Sequence, residues 1–205
     1  MPAADHLAEG MNVPDPLELF RAWFVEAEAG EPDLPEAAHL ATVSAEGRPS
    51  NRVVLTRLRE DGTFEFHTNR QSLKGVELAR NPHAALTWHW KSLGRQVRVE
   101  GAAAMMTDEE SDAYWQQRAP GSQISATLSE QSQPVASREE LETRHREFES
   151  RYGYFPVPRP SHWGGYRVTP LRIEFWAHRD DRLHDRLEFR RDGVGEPWAT
   201  ARLQP

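Results

Sequence analysis

Short alternating runs separated by glycine-bearing turns constrain this 205-residue chain more than any other feature. Ala38–Ser44 and Asn51–Leu58 flank Glu46-Gly47, and Asp61-Gly62 leads into Thr63–Thr68, where Phe64 and Phe66 alternate with polar residues. Ala84–Trp90 and Gln96–Met106 are joined by the turn Lys91–Gly94. Gly165–Val168, Arg172–Ala177, Leu187–Arg190 and Trp198–Leu203 close the chain, with Asp192-Gly193 at a turn. Connections this short join antiparallel neighbours. Strands in such number, punctuated by a few helices, predict an α+β fold built on an antiparallel barrel.

The helices announce themselves by caps and stripes. Asp15-Pro16 opens one whose apolar face is Leu17, Leu19, Phe20, Trp23, Phe24 and Ala27, and Gly30 to Pro35 breaks it. Ser72 is the expected N-cap of a helix through Arg80, stopped by Asn81-Pro82. Thr107 with Glu110, and Ser137 with Glu140, form two capping boxes, starting helices to Gln117 and to about Tyr152. Ala119–Pro134 reads as an ordered loop or a short helix, and the proline-rich Phe155–Pro160 as a crossing to the last strands. Residues 1–13 are expected to form a flexible arm and 14–205 a single domain.

Composition removes several function classes. A net charge of −7 opposes broad binding to nucleic acid or anionic membranes. With no cysteine there are no disulfides and no thiol chemistry. No apolar run approaches the roughly 20 residues a membrane span needs, and MPAADHLAEG has no signal-peptide pattern, so a cytoplasmic location is expected.

Generic catalytic motifs are missing: there is no G-x-G-x-x-G, P-loop, H-E-x-x-H or nucleophile elbow. His178 and His184 lack a convincing third ligand, so no metal site is expected. What stands out is polar residues at strand ends. Arg52 shares one strand side with Val54 and Thr56, opposite Val53 and Leu55; Lys74 falls in the first turn of the Ser72 helix; Gln96 begins a strand. Arg182, His184 and Arg186 alternate, as if on one strand face, where they either meet an anionic ligand or are neutralised by Asp180, Asp181 and Asp185. Each is equally readable as a solvated strand end.

From about Pro14 to Pro205 the chain resembles the pyridoxamine 5′-phosphate oxidase family. The resemblance rests on N-R-V-V-L-T-R, F-E-F-H-T-N-R-Q-S-L-K-G, N-P-H-A-A-L-T-W-H-W, G-R-Q-V-R-V-E-G, S-D-A-Y-W-Q-Q-R-A-P-G-S-Q-I, S-E-Q-S, H-W-G-G-Y-R-V, I-E-F-W, R-L-H-D-R and the terminal R-L-Q-P. It implies an FMN-binding split β-barrel with peripheral helices, a homodimer with the flavin at the interface, and a small-molecule substrate oxidised by molecular oxygen. It further implies that Arg52, Val53, Val54, Leu55, His67, Thr68, Ser72, Lys74, Gln96, Gln131, Ser132, Trp176 and Arg186 contact FMN. Tyr114, Arg118 and Ser122 fall where the family holds the substrate phosphate, Arg57 is by the same resemblance a further substrate contact, and Arg182 and His184 fall where it positions the substrate ring for catalysis.

Some positions depart from the family pattern. Arg57 replaces a lysine, Leu73 an arginine of the flavin-phosphate triplet, and His67 a tyrosine; the N-terminal arm lacks an R-x-x-Y segment. Such departures, with the M-N-V-P-D-P start, also resemble the phenazine-biosynthesis flavin oxidase branch. The retained Tyr114, Arg118 and Ser122 favour a vitamin B6 phosphate instead. A non-catalytic flavin-binding module is the third expectation, against which Arg182 and His184 stand.

Overall fold

The computed structural model describes Leu7, residues 15–152 and residues 156–205. Apart from Leu7, the arm expected over 1–13 lies outside the described residues, as does Phe155 at the start of the expected crossing. Leu7 itself is buried in the main core, and its carbonyl accepts a hydrogen bond from Arg202 Nη2 at 2.6 Å.

Helix α1 (Pro16–Gly30) starts where Asp15 and Pro16 place it: the Asp15 side chain accepts from the Leu17 amide at 2.8 Å. Its apolar stripe buries Phe20 against Phe64 and Trp88, with ring centroids 4.9 and 5.0 Å away, and Trp23 against Phe175 at 5.1 Å. Each such ring contributes on the order of 2–3 kcal/mol by leaving water, so this stripe anchors the helix to the sheet.

The strands are β1 (Ala37–Val43), β2 (Pro49–Leu55), β3 (Arg57–Leu58), β4 (Phe64–Asn69), β5 (His83–Trp90), β6 (Arg95–Met105), β7 (Trp163–Ala177), β8 (Asp185–Arg190) and β9 (Ala199–Arg202). They pair antiparallel in the order β2-β1-β5-β6-β7-β4-β3, with β8 and β9 added beside β7. The expected strand Asn51–Leu58 is interrupted at Thr56, whose hydroxyl bonds the Glu36 carbonyl at 2.9 Å.

The two strands expected at Gly165–Val168 and Arg172–Ala177 are one continuous β7. Its first half pairs with β4 and its second with β8, while β6 runs along both. Between them, Gly101 faces Pro170 while Glu100 faces Arg172, so Leu171 is an extra residue in a bulge. Proline is tolerated there because a bulge does not require its missing N–H. A Cβ on Gly101 would stand 1.9 Å from the Thr169 carbonyl oxygen, so only glycine fits. The bulge lets one strand serve two partners, and the sheet curls into the expected split barrel.

Helices α2 (Leu73–Arg80), α3 (Asp108–Gln117), α4 (Pro120–Leu128) and α5 (Arg138–Tyr152) lie outside the sheet path. Thr107 and Glu110 form the predicted reciprocal box, and Ser137 Oγ accepts from the Glu140 amide. Ala119–Pro134 takes its helical alternative as α4. Among the described residues, no helix is long and apolar enough to cross a membrane.

Candidate active site

Two groups of side chains emerge from this framework. The first is concave. A cavity of about 530 Å³ is lined by Ser50, Asn51, Arg52, Val53, Val54 and Leu55 of β2, His67 and Thr68 of β4, Leu73 and Lys74 of α2, Tyr114, Arg118, Gln131 and Ser132. It therefore gathers most of the expected flavin contacts.

Ser72 is fully buried and does not cap α2 with its side chain. Its hydroxyl donates to the Asn69 carbonyl at 2.7 Å and accepts from Lys74 Nζ at 3.1 Å. The lysine turns inward and also donates to Thr68 Oγ1 at 3.1 Å and Gln131 Oε1 at 3.0 Å. Burial, followed by the neighbouring Arg52 charge, lowers Lys74 to about 8. Among the described residues it meets only hydroxyl and amide oxygens, with no carboxylate in ion-pair range. A buried cation left without an anion beside a second cation fits a phosphate dianion. Ser132, at φ 76, occupies the left-handed region and accepts from the Leu73 amide, closing the rim.

His67 borders this cavity and two others. Its ring stacks on Tyr114 with centroids 3.7 Å apart and planes 7° apart. Across the β4–β7 pairing it faces Gly165, where a Cβ would stand 3.0 Å from Nε2. Burial is the main cause that lowers His67 to about 4; Glu65 opposes it, while Arg118, Arg57 and Arg59 add to it. The imidazole is therefore neutral at physiological pH.

One neighbouring cavity, about 470 Å³, joins His67, Thr68, Arg118, Ser122, Gln131 and Trp163. Arg118 lies 4.9 Å over the Trp163 ring and donates to the Ser122 carbonyl at 3.3 Å. The other, about 680 Å³, joins Arg57, Leu55, His67 and Tyr114 to the aromatic face of α1. Arg57 reaches to 5.7 Å over Tyr114.

The second group is flat. Gln96, Trp176 and Arg186 form one row across β6, β7 and β8. Arg186 Nε and Nη2 each reach Glu174 Oε1 at 2.8 Å. His184 packs on Trp176, centroids 4.6 Å apart, and its Nδ1 accepts from the Arg179 amide at 3.1 Å. The expectation that Arg182, His184 and Arg186 share a strand face is corrected: Arg182 and His184 precede β8 in a turn, where Arg182 has φ 64. Asp185 pairs with Arg179 and Arg202, Asp180 with His178, and Asp181 accepts from the Leu183 amide, so among the described residues none of the three pairs with Arg182.

No residue of this second group lines the first cavity. Both groups nevertheless border one sheet face. Register carries a row from Val53 through His39, Thr87, Arg98 and Glu174 to Glu188, and Val53 and Leu55 are more than half exposed, at 56% and 54%.

The family profile described as Pyridoxamine 5′-phosphate oxidase matches residues 26–152, and the Pyridoxine 5′-phosphate oxidase C-terminal dimerisation region matches residues 163–205. This chain belongs to the pyridoxamine 5′-phosphate oxidase family. That is a family of FMN-dependent oxidases. The chain is 48% identical over 202 residues to a pyridoxine/pyridoxamine 5′-phosphate oxidase of Novosphingobium aromaticivorans, covering 98% of this chain and 99% of the relative. It is 50% identical over 199 residues to that of Rubrobacter xylanophilus, covering 97% and 91%. The structure of PhzG from Burkholderia lata 383, in complex with tetrahydrophenazine-1-carboxylic acid, matches with TM-score 0.87 and 31% identity over 100% of this chain and 98% of that one. A pyridoxamine 5′-phosphate oxidase-related, FMN binding protein from Nostoc punctiforme shares the fold, with TM-score 0.76 and 17% identity over 95% and 100%.

Within that family frame, four residues in or behind the cavities carried no expectation from the sequence. Glu77, Thr42 and Ser50 form a hydrogen-bonded group under Arg52. Only Glu77 left a trace, since it follows Lys74 by three residues on the same helix. Trp163, which supports Arg118, sits in the H-W-G-G-Y segment without a local signal.

Proposed function

We propose that this chain is an FMN-dependent oxidase that converts pyridoxamine or pyridoxine 5′-phosphate to pyridoxal 5′-phosphate, with oxygen as acceptor and hydrogen peroxide as product. The carrying observation is a pair of adjoining cavities, one holding Lys74 and Arg52 and one holding Ser122, that share His67, Thr68, Gln131 and a further cation, Arg118. On this reading the flavin phosphate sits at Lys74 and Arg52, and the substrate phosphate on the Ser122 side of Arg118.

FMN, when bound, supplies the hydride acceptor and hands the electrons to oxygen. The chain supplies placement. Lys74, Arg52, Ser72, Thr68, Gln131 and Ser132 hold the flavin phosphate end, with Val53, Val54, Leu55 and His67 along its length. Arg118, Ser122 and Tyr114 hold the substrate phosphate, and Arg57 is a further substrate contact beside Tyr114. Gln96, Trp176 and Arg186 complete the flavin site, and Arg182 and His184 orient the reacting ring. As these last five lie outside the cavity, the reading requires them from a second copy. An outer sheet face exposing Val53 and Leu55, continuous with Trp176, is the surface on which a homodimer would join, and the match to a dimerisation region over 163–205 supports it. The same proposal places 14–205 in one domain, working in the cytoplasm.

Oxygen uptake and aldehyde absorbance with pyridoxine 5′-phosphate test the reading. Turnover is expected, with KM rising about 10- to 100-fold in Arg118→Ala as charge-assisted phosphate bonds are lost. The likeness to the Burkholderia lata protein makes tetrahydrophenazine-1-carboxylic acid the second substrate to offer. Oxidation of that compound and not of the B6 phosphate would overturn the assignment.

A further inference from the structure

Beneath the flavin pocket lies a carboxylate that the proposed reaction does not use. Glu77 is only 5% exposed, and its Oε2 accepts from Thr42 Oγ1 at 2.5 Å and from Ser50 Oγ at 2.6 Å. A hydroxyl has one proton to give. With both protons committed to Glu77, the lone pairs of Thr42 and Ser50 are left for Arg52. Arg52 uses them: Nη1 donates to Thr42 Oγ1 and Nη2 to Ser50 Oγ, each at 2.5 Å, while Nη2 stands 3.4 Å from Glu77 itself. Serine on β2, threonine on β1 and glutamate on α2 therefore fix the guanidinium plane from three elements.

Resting on the FMN assignment, we propose that Glu77 is a positioning residue for the flavin phosphate, orienting Arg52 through Thr42 and Ser50 and letting the two cations Arg52 and Lys74 stand side by side. The second role matters here because Leu73, half exposed, occupies the helix start without adding a cation.

Charge and hydrogen bonding are separable at this site. Glu77→Gln keeps an oxygen that can accept both hydroxyl protons but removes the charge. Lys74 faces Arg52 from β2, Glu77 from its own helix and the neutral Thr68 and Gln131; His67, Tyr114 and Arg118 line the same cavity. Arg52 lowers Lys74 and Glu77 raises it. Without the carboxylate, Lys74 releases its proton at lower pH.

The test is flavin fluorescence quenching by the FMN-free dimer, titrated from neutral to alkaline pH with FMN and with riboflavin, which has no phosphate. Wild-type affinity for FMN is expected to fall as pH rises through about 8, where Lys74 loses its charge. In Glu77→Gln the fall begins about one pH unit lower, leaving FMN about tenfold weaker near that pH, while riboflavin binding shows no shift. Ser50→Ala, which removes one hydroxyl and no charge, weakens FMN by about 5- to 10-fold without moving the profile. An unshifted FMN profile in Glu77→Gln, or an equal shift with riboflavin, overturns the proposal. If circular dichroism shows Glu77→Gln unfolded, Ser50→Ala and Thr42→Val decide: wild-type FMN affinity in both overturns it. A wild-type protein that quenches no FMN at all would remove the cofactor assignment first, and this proposal with it.

Discussion

Lys74 and Arg186 are both cations held by their own chain, yet they are held in opposite ways. Lys74 rests on Thr68, Ser72 and Gln131 oxygens, at 3.0–3.1 Å, and keeps its charge for something else. Arg186 gives two bonds to the buried carboxylate of Glu174 and a third to the Gln204 carbonyl, and is already neutralised. The difference follows from shape. On the proposed function, the concave pocket holds its cation on neutral oxygens because the ligand brings the anion. On a flat sheet face, Glu174 and Glu188 sit directly opposite each other on β7 and β8, a repulsive pairing that needs arginines between them. Arg98, Arg172 and Arg186 supply that, Arg172 reaching Glu188 at 2.5 Å. On that proposal the pocket is prepared for an ion, and the face for a second copy.

The contrast breaks most visibly at Arg186. Arg186→Leu leaves Glu174, 3% exposed, with Arg98 as its nearest remaining cation at 3.2 Å. The expected cost is about 2–3 kcal/mol, read as a lower urea midpoint at unchanged slope. Lys74→Met is expected to do the reverse, stabilising the FMN-free protein by about 1–2 kcal/mol because a buried ammonium is removed. FMN affinity should fall by about 10- to 100-fold in the same variant, with riboflavin affinity unchanged. A Lys74→Met protein that is both less stable and unaltered for FMN would erase the distinction.

Arg182→Ala sharpens the comparison within the flat group. Its side chain sits on an exposed turn, so stability should stay within about 0.5 kcal/mol, and FMN affinity should hold. Turnover is expected to drop at least about tenfold if it orients the substrate ring. Equal loss of flavin binding and turnover would remove that role.

At neutral pH the smallest effect belongs to His67, whose signature is confined to acid. Its folded value is about 4 against an ordinary 6.5, so the unfolded chain binds more protons between them. Its contribution to stability is complete above about pH 6.5 and is lost as pH falls toward about 4. His67→Phe should flatten that part of the stability curve in urea titrations across acidic pH.

Much of the fold was legible because its signals are local. Asp15-Pro16, the Thr107–Glu110 box and the glycine turns act within a few residues, and they mark the observed element boundaries closely. The single β7 was not legible. Thr169-Pro-Leu171 looks like a break, and only pairing with β6 and the glycine at 101 carry the strand through it. The site divides the same way. N-R-V-V-L-T-R disclosed that Arg52 and Val54 oppose Val53 and Leu55, because side chains alternate along any strand. The alternation of Arg182, His184 and Arg186 did not disclose that the first two sit in the turn closing β7 onto β8 and only Arg186 in the strand.

By itself the sequence determined the family, the antiparallel alternation and the residue types available for binding a phosphate-bearing flavin. Those depend on identity and short-range order. Tertiary structure decided which of these residues meet. It turned Lys74 inward onto β4, placed Glu77 of α2 under Arg52 of β2, stacked His67 on Tyr114, and kept the Trp176–Arg186 row out of the cavity. Such meetings join residues tens of positions apart, and their energies come from burial and charge balance, which exist only once the sheet has curled.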